Sequence, residues 1–420
     1  MQRRLMTLLM IVGCAVCAPG LVVSASAAAD APADSTVPRT LDDYLALARS
    51  ANASVHAASA RALAARERVG VVKGMPDPSL VYGYYVSPDA IQGRQEIILE
   101  QQIPFFGKRG LRGEVGTRAA NMEARMADAT ALDVALDVKT AFYRYVGLTE
   151  TARVLETEAG LLHRMRDVAQ VRYASGTSEQ QEVLKVELSL SRLADETTLN
   201  RREIAATRAR LNELIGRDAT TPVADPTWST PDAAAIDALA LPDSALARRP
   251  EVAFAREEIA MATASRRLAK REYIPDFMLG VDYEFGIGED GWWELMEGVN
   301  LPIWIGKRRA AVREAEAMQQ SAEYRLHAET LRTSREVEES GERARAARER
   351  YDRFRTSILP QAEAAFSSSE AGYRTGRVDF LDYLDSERML LEMRKEYAMV
   401  IADFGMQLAE LERAVGRRER

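Results

Sequence analysis

The chain has 420 residues, a formal charge of −7, 28% charged residues and only 7% aromatics. An acidic balance excludes the basic surface that nucleic-acid binding needs, and the length allows two or more ordinary domains. Ala, Glu, Arg and Leu fill long stretches, a composition that favours long helices and coiled coils. In chain order, Arg3 and Arg4 precede an apolar run from Leu5 to Val16 and then small residues, the layout of a secretory signal peptide. Ala25-Ser26-Ala27 supplies its cleavage site, so residues 1–27 are read as the signal. Ile11-Val12-Gly13-Cys14 offers a competing lipoprotein site, which would leave Cys14 carrying lipid. Both cysteines, Cys14 and Cys17, fall in this segment, so cleavage after Ala27 leaves no thiol for a disulfide framework or a thiolate metal site. Beyond it no apolar run is long enough for a transmembrane helix.

The rest of the chain is a tandem repeat. Pro76-Asp77 and Pro275-Asp276, Tyr84 and Tyr283, and Gly107-Lys108-Arg109 and Gly306-Lys307-Arg308 recur at one interval, read as a gapless register. Tyr173-Ala-Ser-Gly176 recurs as Tyr373-Arg-Thr-Gly376 with one residue more. The first repeat is expected over 28–215 and the second over 250–420, joined by a Pro-rich linker, 216–249, with at most a short helix. Each repeat should hold a helix, two strands and a long helical hairpin. The first helices, about 41–72 and 250–273, each end at a Pro-Asp pair. The hairpins are expected over 108–215 and 307–415, turning near Gly176 and Gly376. The outgoing helix of the first has no Pro and should span roughly 100 Å. In the second, Pro360 should break or kink the helix, and Gly160 stands at the matching place in the first.

Strands are expected at about 79–88, 94–104, 276–287 and 292–303. Leu80, Tyr82, Tyr84 and Val86 share one face of the first. Phe277, Leu279, Val281, Tyr283, Phe285 and Ile287 share one face of the third, opposite Met278, Gly280, Asp282, Glu284 and Gly286. The second sets Ile97, Leu99 and Ile103 against Glu96, Glu100 and Gln102. The fourth sets Trp293, Leu295, Val299 and Leu301 against Glu294 and Asn300, with Glu297 spoiling the pattern. Such segments fit a soluble sheet with one buried face or a membrane barrel, and terminal aromatics with a polar opposite face favour the barrel. Four strands cannot close around a lumen and an open edge cannot sit in lipid, so several chains must share one barrel. Pro104 and Pro302 would stop the ladder, and Gly107 and Gly306 would turn the chain into the helices. Lys108, Arg109 and Arg112, with Lys307, Arg308 and Arg309, would then meet phospholipid headgroups. Cations at a helix N-terminus oppose its dipole, so this basic cluster needs another source of stabilisation.

These residues resemble the outer membrane factors, the TolC-like exit ducts of tripartite efflux pumps and type I secretion systems. The similarity covers the tandem repeat, paired strands, long hairpins and Tyr-x-x-Gly tips. The Pro-x-x-Gly-Lys-Arg form of Pro104 to Arg109 looks like the heavy-metal efflux branch. The resemblance implies a homotrimer in the bacterial outer membrane, with a twelve-stranded β-barrel and an α-helical barrel through the periplasm. It further implies a periplasmic adaptor and an inner-membrane pump as partners, docked at the tips around Gly176 and Gly376. The family's entrance is narrowed by carboxylates after the second tip, a pattern that Asp382 and Asp385 match, with Tyr373 matching a tyrosine of the network that holds related entrances closed. The arginine of that network stands displaced at Arg377 here. The first repeat has Glu182 and Lys185 instead.

Catalysis has no support. His56, His163 and His327 are far apart in predicted helices without neighbouring ligands, and no phosphate loop or nucleophile motif appears. Met122, Met126, Met389 and Met393 suit hydrophobic seams better than soft-metal binding. The expected function is an exit duct without cofactors or nucleic-acid partner, exporting heavy-metal cations. The alternatives are a multidrug or polypeptide duct of the same fold and, from another class, a soluble periplasmic coiled-coil scaffold or adaptor.

Overall fold

A computed structural model describes residues 37–85, 94–230, 236, 242–286 and 290–417. The signal segment with Cys14, the outer ends of the first and third strands with Val86 and Ile287, and much of the linker lie outside the described residues. The unit from Pro38 onward is built from two long hairpins joined to one sheet.

The first expected helix is two helices, α1 (Leu41–Ala51) and α2 (Ala53–Lys73). The residue between them, Asn52, is responsible. Its side-chain oxygen accepts from the backbone N–H groups of Ser54 and Val55, capping α2, while its amide donates to the Leu214 carbonyl at 2.8 Å. Strands β1 (Ser79–Tyr84) and β2 (Gln95–Ile103) follow, then α3 (Lys108–Ala174), whose 67 residues extend about 100 Å. Helix α3 runs through Gly160 without interruption. Helix α4 (Gln180–Leu214) returns alongside it. Among its described residues the connector holds the short helix α5 (Pro242–Arg248) and packs against the hairpins. Val223 and Ile236 are buried in the core, and the Tyr145 hydroxyl donates to the Ala224 carbonyl.

The second repeat has α6 (Pro250–Arg271), β3 (Asp276–Phe285), β4 (Trp292–Asn300), α7 (Ile305–Arg353), α8 (Leu359–Arg374) and α9 (Phe380–Ala414). Pro360 does not break the hairpin arm. A π-helical turn, Phe354–Ile358, joins α7 to α8, with the Leu359 N–H reaching back to the Phe354 carbonyl. This wider turn relieves the clash that a proline ring makes with the carbonyl four residues earlier. Strand β4 stops at Asn300, short of the expected 303, because Pro302 cannot continue a ladder.

The sheet is antiparallel in the order β1-β2-β3-β4. Leu80 opposes Leu99, Leu99 opposes Val281, and Val281 opposes Leu295, so one apolar row crosses all four strands. Leu80, Leu295 and Trp293 are each 71% exposed. The duplication is not gapless inside this region. Two residues, Phe105 and Phe106, separate Pro104 from Gly107, whereas Ile303, Trp304 and Ile305 separate Pro302 from Gly306. Counted between the paired residues Tyr84 and Gln95, and Tyr283 and Trp293, the second connection is one residue shorter.

Two apolar clusters hold the helices. The upper one gathers Tyr44, Phe142, Tyr145, Leu211, Val337, Ile401 and Phe404 from five helices. The lower one, toward the tips, contains Leu155, Leu162, Met165, Val186, Leu193, Leu384 and Leu391. Each fully buried aliphatic side chain contributes on the order of 2 kcal/mol. None of the described helices is long and apolar enough to cross a membrane.

Candidate functional site

The hairpin tips are formed alike. Gly176 and Gly376 adopt left-handed backbone at φ 71° and 72°, a region that other residues rarely tolerate. The next residue in each, Thr177 or Arg377, donates its backbone N–H to the carbonyl of Arg172 or Gly372, closing the helix ends with a Schellman pattern. After the second tip, Asp379 caps α9 by accepting from the Asp382 N–H at 2.8 Å.

Asp382 and Asp385 are both exposed on α9 and share its face. Asp385 faces Arg388 at 3.3 Å, and Arg388 also reaches the Ser189 hydroxyl on α4 at 3.4 Å. An exposed ion pair of this kind is weak.

Behind this face the ring of Tyr373 stacks on Tyr383, with centroids 5.1 Å apart, and meets Phe380 edge-on at 5.7 Å. The cation beside Tyr373 is not Arg377. It is Arg172 of the first hairpin, whose guanidinium lies 5.0 Å from the ring centre. Burial pushes the Tyr373 hydroxyl up, partly opposed by Arg172. Glu182, the counterpart of Asp382, is also pushed above the usual carboxylate range, chiefly by burial, with Glu179 and Asp379 adding repulsion and Arg172 opposing it. The two tips therefore meet in one electrostatic cluster centred on Arg172. Sequence reading missed Arg172, because its counterpart in the second repeat is Gly372 and no internal symmetry marks it.

A second feature had no sequence signal. Glu158 of α3 and Glu387 of α9 are each 1% exposed. They lie close together among buried side chains, and the Glu387 carboxyl is raised to about 9 by burial and by the neighbouring Glu158, with Arg388 opposing.

The strand-to-helix junctions differ from expectation. Gly107 caps α3 in left-handed backbone at φ 90°, as a sharp turn requires. Gly306 sits inside the first turn of α7 with ordinary helical φ, so it does not turn the chain; the extra residue at this junction lets the helix begin at Ile305. Pro104 is buried and Pro302 half-buried. Lys108 is not at a headgroup position. It is 1% exposed, and its ammonium donates to the Ile274 carbonyl at 2.7 Å and pairs with Asp276 at 2.8 Å and Glu272 at 3.4 Å. These acceptors offset the unfavourable position of a cation at a helix N-terminus. Arg109 is exposed and donates to the Lys73 carbonyl; Arg308 pairs with Glu272 at 3.7 Å; Lys307 is exposed.

Among the described residues no three His, Cys, Asp or Glu side chains gather as a metal site. Two long hairpins thus join a small sheet that has one exposed apolar face. A family model for outer membrane efflux proteins matches residues 241–417. The pyoverdine export outer membrane protein OpmQ of Pseudomonas putida is 24% identical over 410 residues, 89% of this chain and 84% of that protein. The cobalt-zinc-cadmium resistance protein CzcC of Cupriavidus metallidurans is 22% identical over 397 residues, 92% of each chain. Among solved structures, the CusC channel superposes with a TM-score of 0.77 at 15% identity, covering 90% of this chain and 92% of that one. Over most of its length the chain is therefore similar to TolC-like outer membrane channel proteins, and it shares their fold.

Proposed function

We propose that three copies of this chain form one exit duct of a tripartite efflux system, with a shared twelve-stranded barrel in the outer membrane and a helical tunnel through the periplasm. The observation that carries this reading is the four-stranded sheet, which is apolar on one face and open at both edges, a state that lipid does not permit unless neighbouring copies close the ring. An adaptor and an inner-membrane pump would dock at the tips around Gly176 and Gly376. Asp382 and Asp385, one pair from each copy, would ring the entrance and gate it, concentrating cations. Tyr373 would help hold the entrance closed.

Heavy-metal cations are the proposed cargo. Support comes from the end-to-end similarity to CzcC and from the acidic entrance. The similarity to the pyoverdine export protein OpmQ favours a second reading, export of pyoverdine or a similar compound.

The mass and membrane location of the detergent-extracted, unboiled protein test the duct. A trimer in the outer-membrane fraction supports it, and a detergent-independent monomer from the periplasm would replace it with a soluble scaffold. Deleting the gene and comparing growth with zinc, cobalt and cadmium against growth with organic toxicants tests the cargo. Sensitivity to metals alone is the expected result.

A further inference from the structure

Near the second tip, three helices enclose a cavity of about 230 Å³ that is lined neither by the entrance carboxylates nor by the Glu158–Glu387 pair. Helix α3 supplies Leu161, Arg164, Met165 and Val168, whose spacing of three and four puts them on one face. Helix α8 supplies Glu370, Tyr373 and Arg374 by the same spacing, and α9 supplies Phe380 and Tyr383, three residues apart. The cavity thus lies between the hairpins, with one wall from the first and two from the second.

Its floor is apolar. Met165, Phe380 and Tyr383 are buried, and Leu161 and Val168 complete the apolar lining. The aromatic rings engage one another: Tyr383 stacks on Tyr373 at 5.1 Å and on Phe366 at 5.7 Å, Phe380 meets Tyr373 edge-on, and Arg172 lies over Tyr373. With their faces so engaged, the rings offer a guest their edges, the positive part of the aromatic quadrupole. The charged lining has the same sign, since Arg164 and Arg374 stand against a single carboxylate, Glu370. Arg374 pairs with Glu370 at 2.7 Å on an exposed helix surface, a weak link. Arg164 is exposed and has no hydrogen bond or ion pair among the described residues.

We propose that this cavity binds a small aromatic monocarboxylate, with its ring among Met165, Phe380 and Tyr383 and its carboxylate on Arg164. The volume sets the size of the guest: drug-sized ligands need about 300–1,000 Å³, so there is room here for one ring. The charge sets its sign, because an amine of the same shape would place its cation against ring edges and an unneutralised guanidinium. The preference is opposite to that of the acidic face carrying Asp382 and Asp385, so the cavity is no place for metal cations. A bound ring touches α3 on one side and α8 and α9 on the other, and ties the first hairpin to the second beside the Arg172–Tyr373 contact. On the exit-duct reading, on which this last consequence alone rests, occupancy favours the closed entrance.

Equilibrium dialysis of labelled benzoate against the full-length protein in detergent tests the site. Saturable binding is expected, weakened on the order of tenfold by Arg164→Gln. Val168→Trp, which fills the cavity from its exposed rim, should abolish it. Both positions are exposed, so neither variant depends on repacking the core. Benzylamine, the cation of like shape, should not displace benzoate. Uptake that never saturates, or that survives both substitutions unchanged, is partition into detergent and overturns the site; displacement by benzylamine overturns the charge assignment. In planar bilayers benzoate should lower the open probability of the parent channel and not that of Val168→Trp. Saturable binding without that effect would remove the tie between hairpins, whereas saturable binding by a protein that forms no channel would keep the site and count against the duct.

Discussion

Arg172 of the first hairpin lies over the ring of Tyr373 of the second, guanidinium to ring centre 5.0 Å, and is the cation that joins the two tips. Cation–π contacts of this sort contribute about 0.5–2 kcal/mol, depending on how far they are desolvated. Because the guanidinium lies over the ring, Arg172→Ala and Tyr373→Ala should raise the open probability of the channel in planar bilayers. Tyr373→Phe should leave it near the parent value. If Tyr373→Phe opens the channel as far as Tyr373→Ala does, the hydroxyl is the operative group.

The Glu158–Glu387 pair predicts a pH dependence of stability. Glu387 titrates near 9 in the folded chain and in the ordinary carboxylate range, about 4.5, when unfolded. Its folded pKa is raised, so its stabilising contribution is complete below the unfolded value and is lost as pH rises toward the folded one. The melting temperature of the helical extension should therefore decline between about pH 4.5 and pH 9. Glu387→Gln, which keeps a donor for Glu158 without a proton to lose, should flatten that decline. Parallel pH profiles for parent and variant would show that the pair carries no such linkage.

Replacing Asp382 and Asp385 together by alanine should lower cation selectivity and weaken block by multivalent cations, since the exposed carboxylates of this face are then absent. Conductance recorded in planar bilayers across salt gradients measures both. Unchanged selectivity would take the gate away from these residues.

Lys108 is held by three acceptors with almost no exposure, and removing one partner of a buried pair typically costs about 3–5 kcal/mol. Lys108→Ala should sharply reduce the amount of folded protein in the outer membrane, whereas Arg109→Ala, at an exposed site, should change it little. Quantitative immunoblots of membrane fractions compare the two. Equal accumulation of both variants would contradict the structural role of Lys108.

The contrast between those two neighbours shows where sequence reading stops. Alternation along Phe277 to Phe285 is a local property, and it marked the strand because every second residue must face the same side. The duplication and its Tyr-x-x-Gly tips were equally visible. Lys108 and Arg109 look alike in sequence, and only the approach of Ile274 and Asp276, from the other repeat, makes one buried and the other exposed. Arg172 finding Tyr373, and Glu158 finding Glu387, are likewise contacts between hairpins with no periodic signature. Pro360 was legible as a break but not as a π turn, because the outcome depends on packing that keeps α7 and α8 in line. Gly306 was read by analogy with Gly107, and a single additional residue at the junction undid the analogy.

The unpaired edges of β1 and β4 bear on how the protein comes into being. If neighbouring copies close this sheet as proposed, folding of this region and meeting of copies become one event. Its yield must then depend on how many chains arrive together. At low synthesis rates the helical hairpins, which carry their own cores, can form early and wait, while the strands are exposed to proteases and to pairing with the wrong chain. Dilution, rather than heat, would be the condition this chain tolerates least.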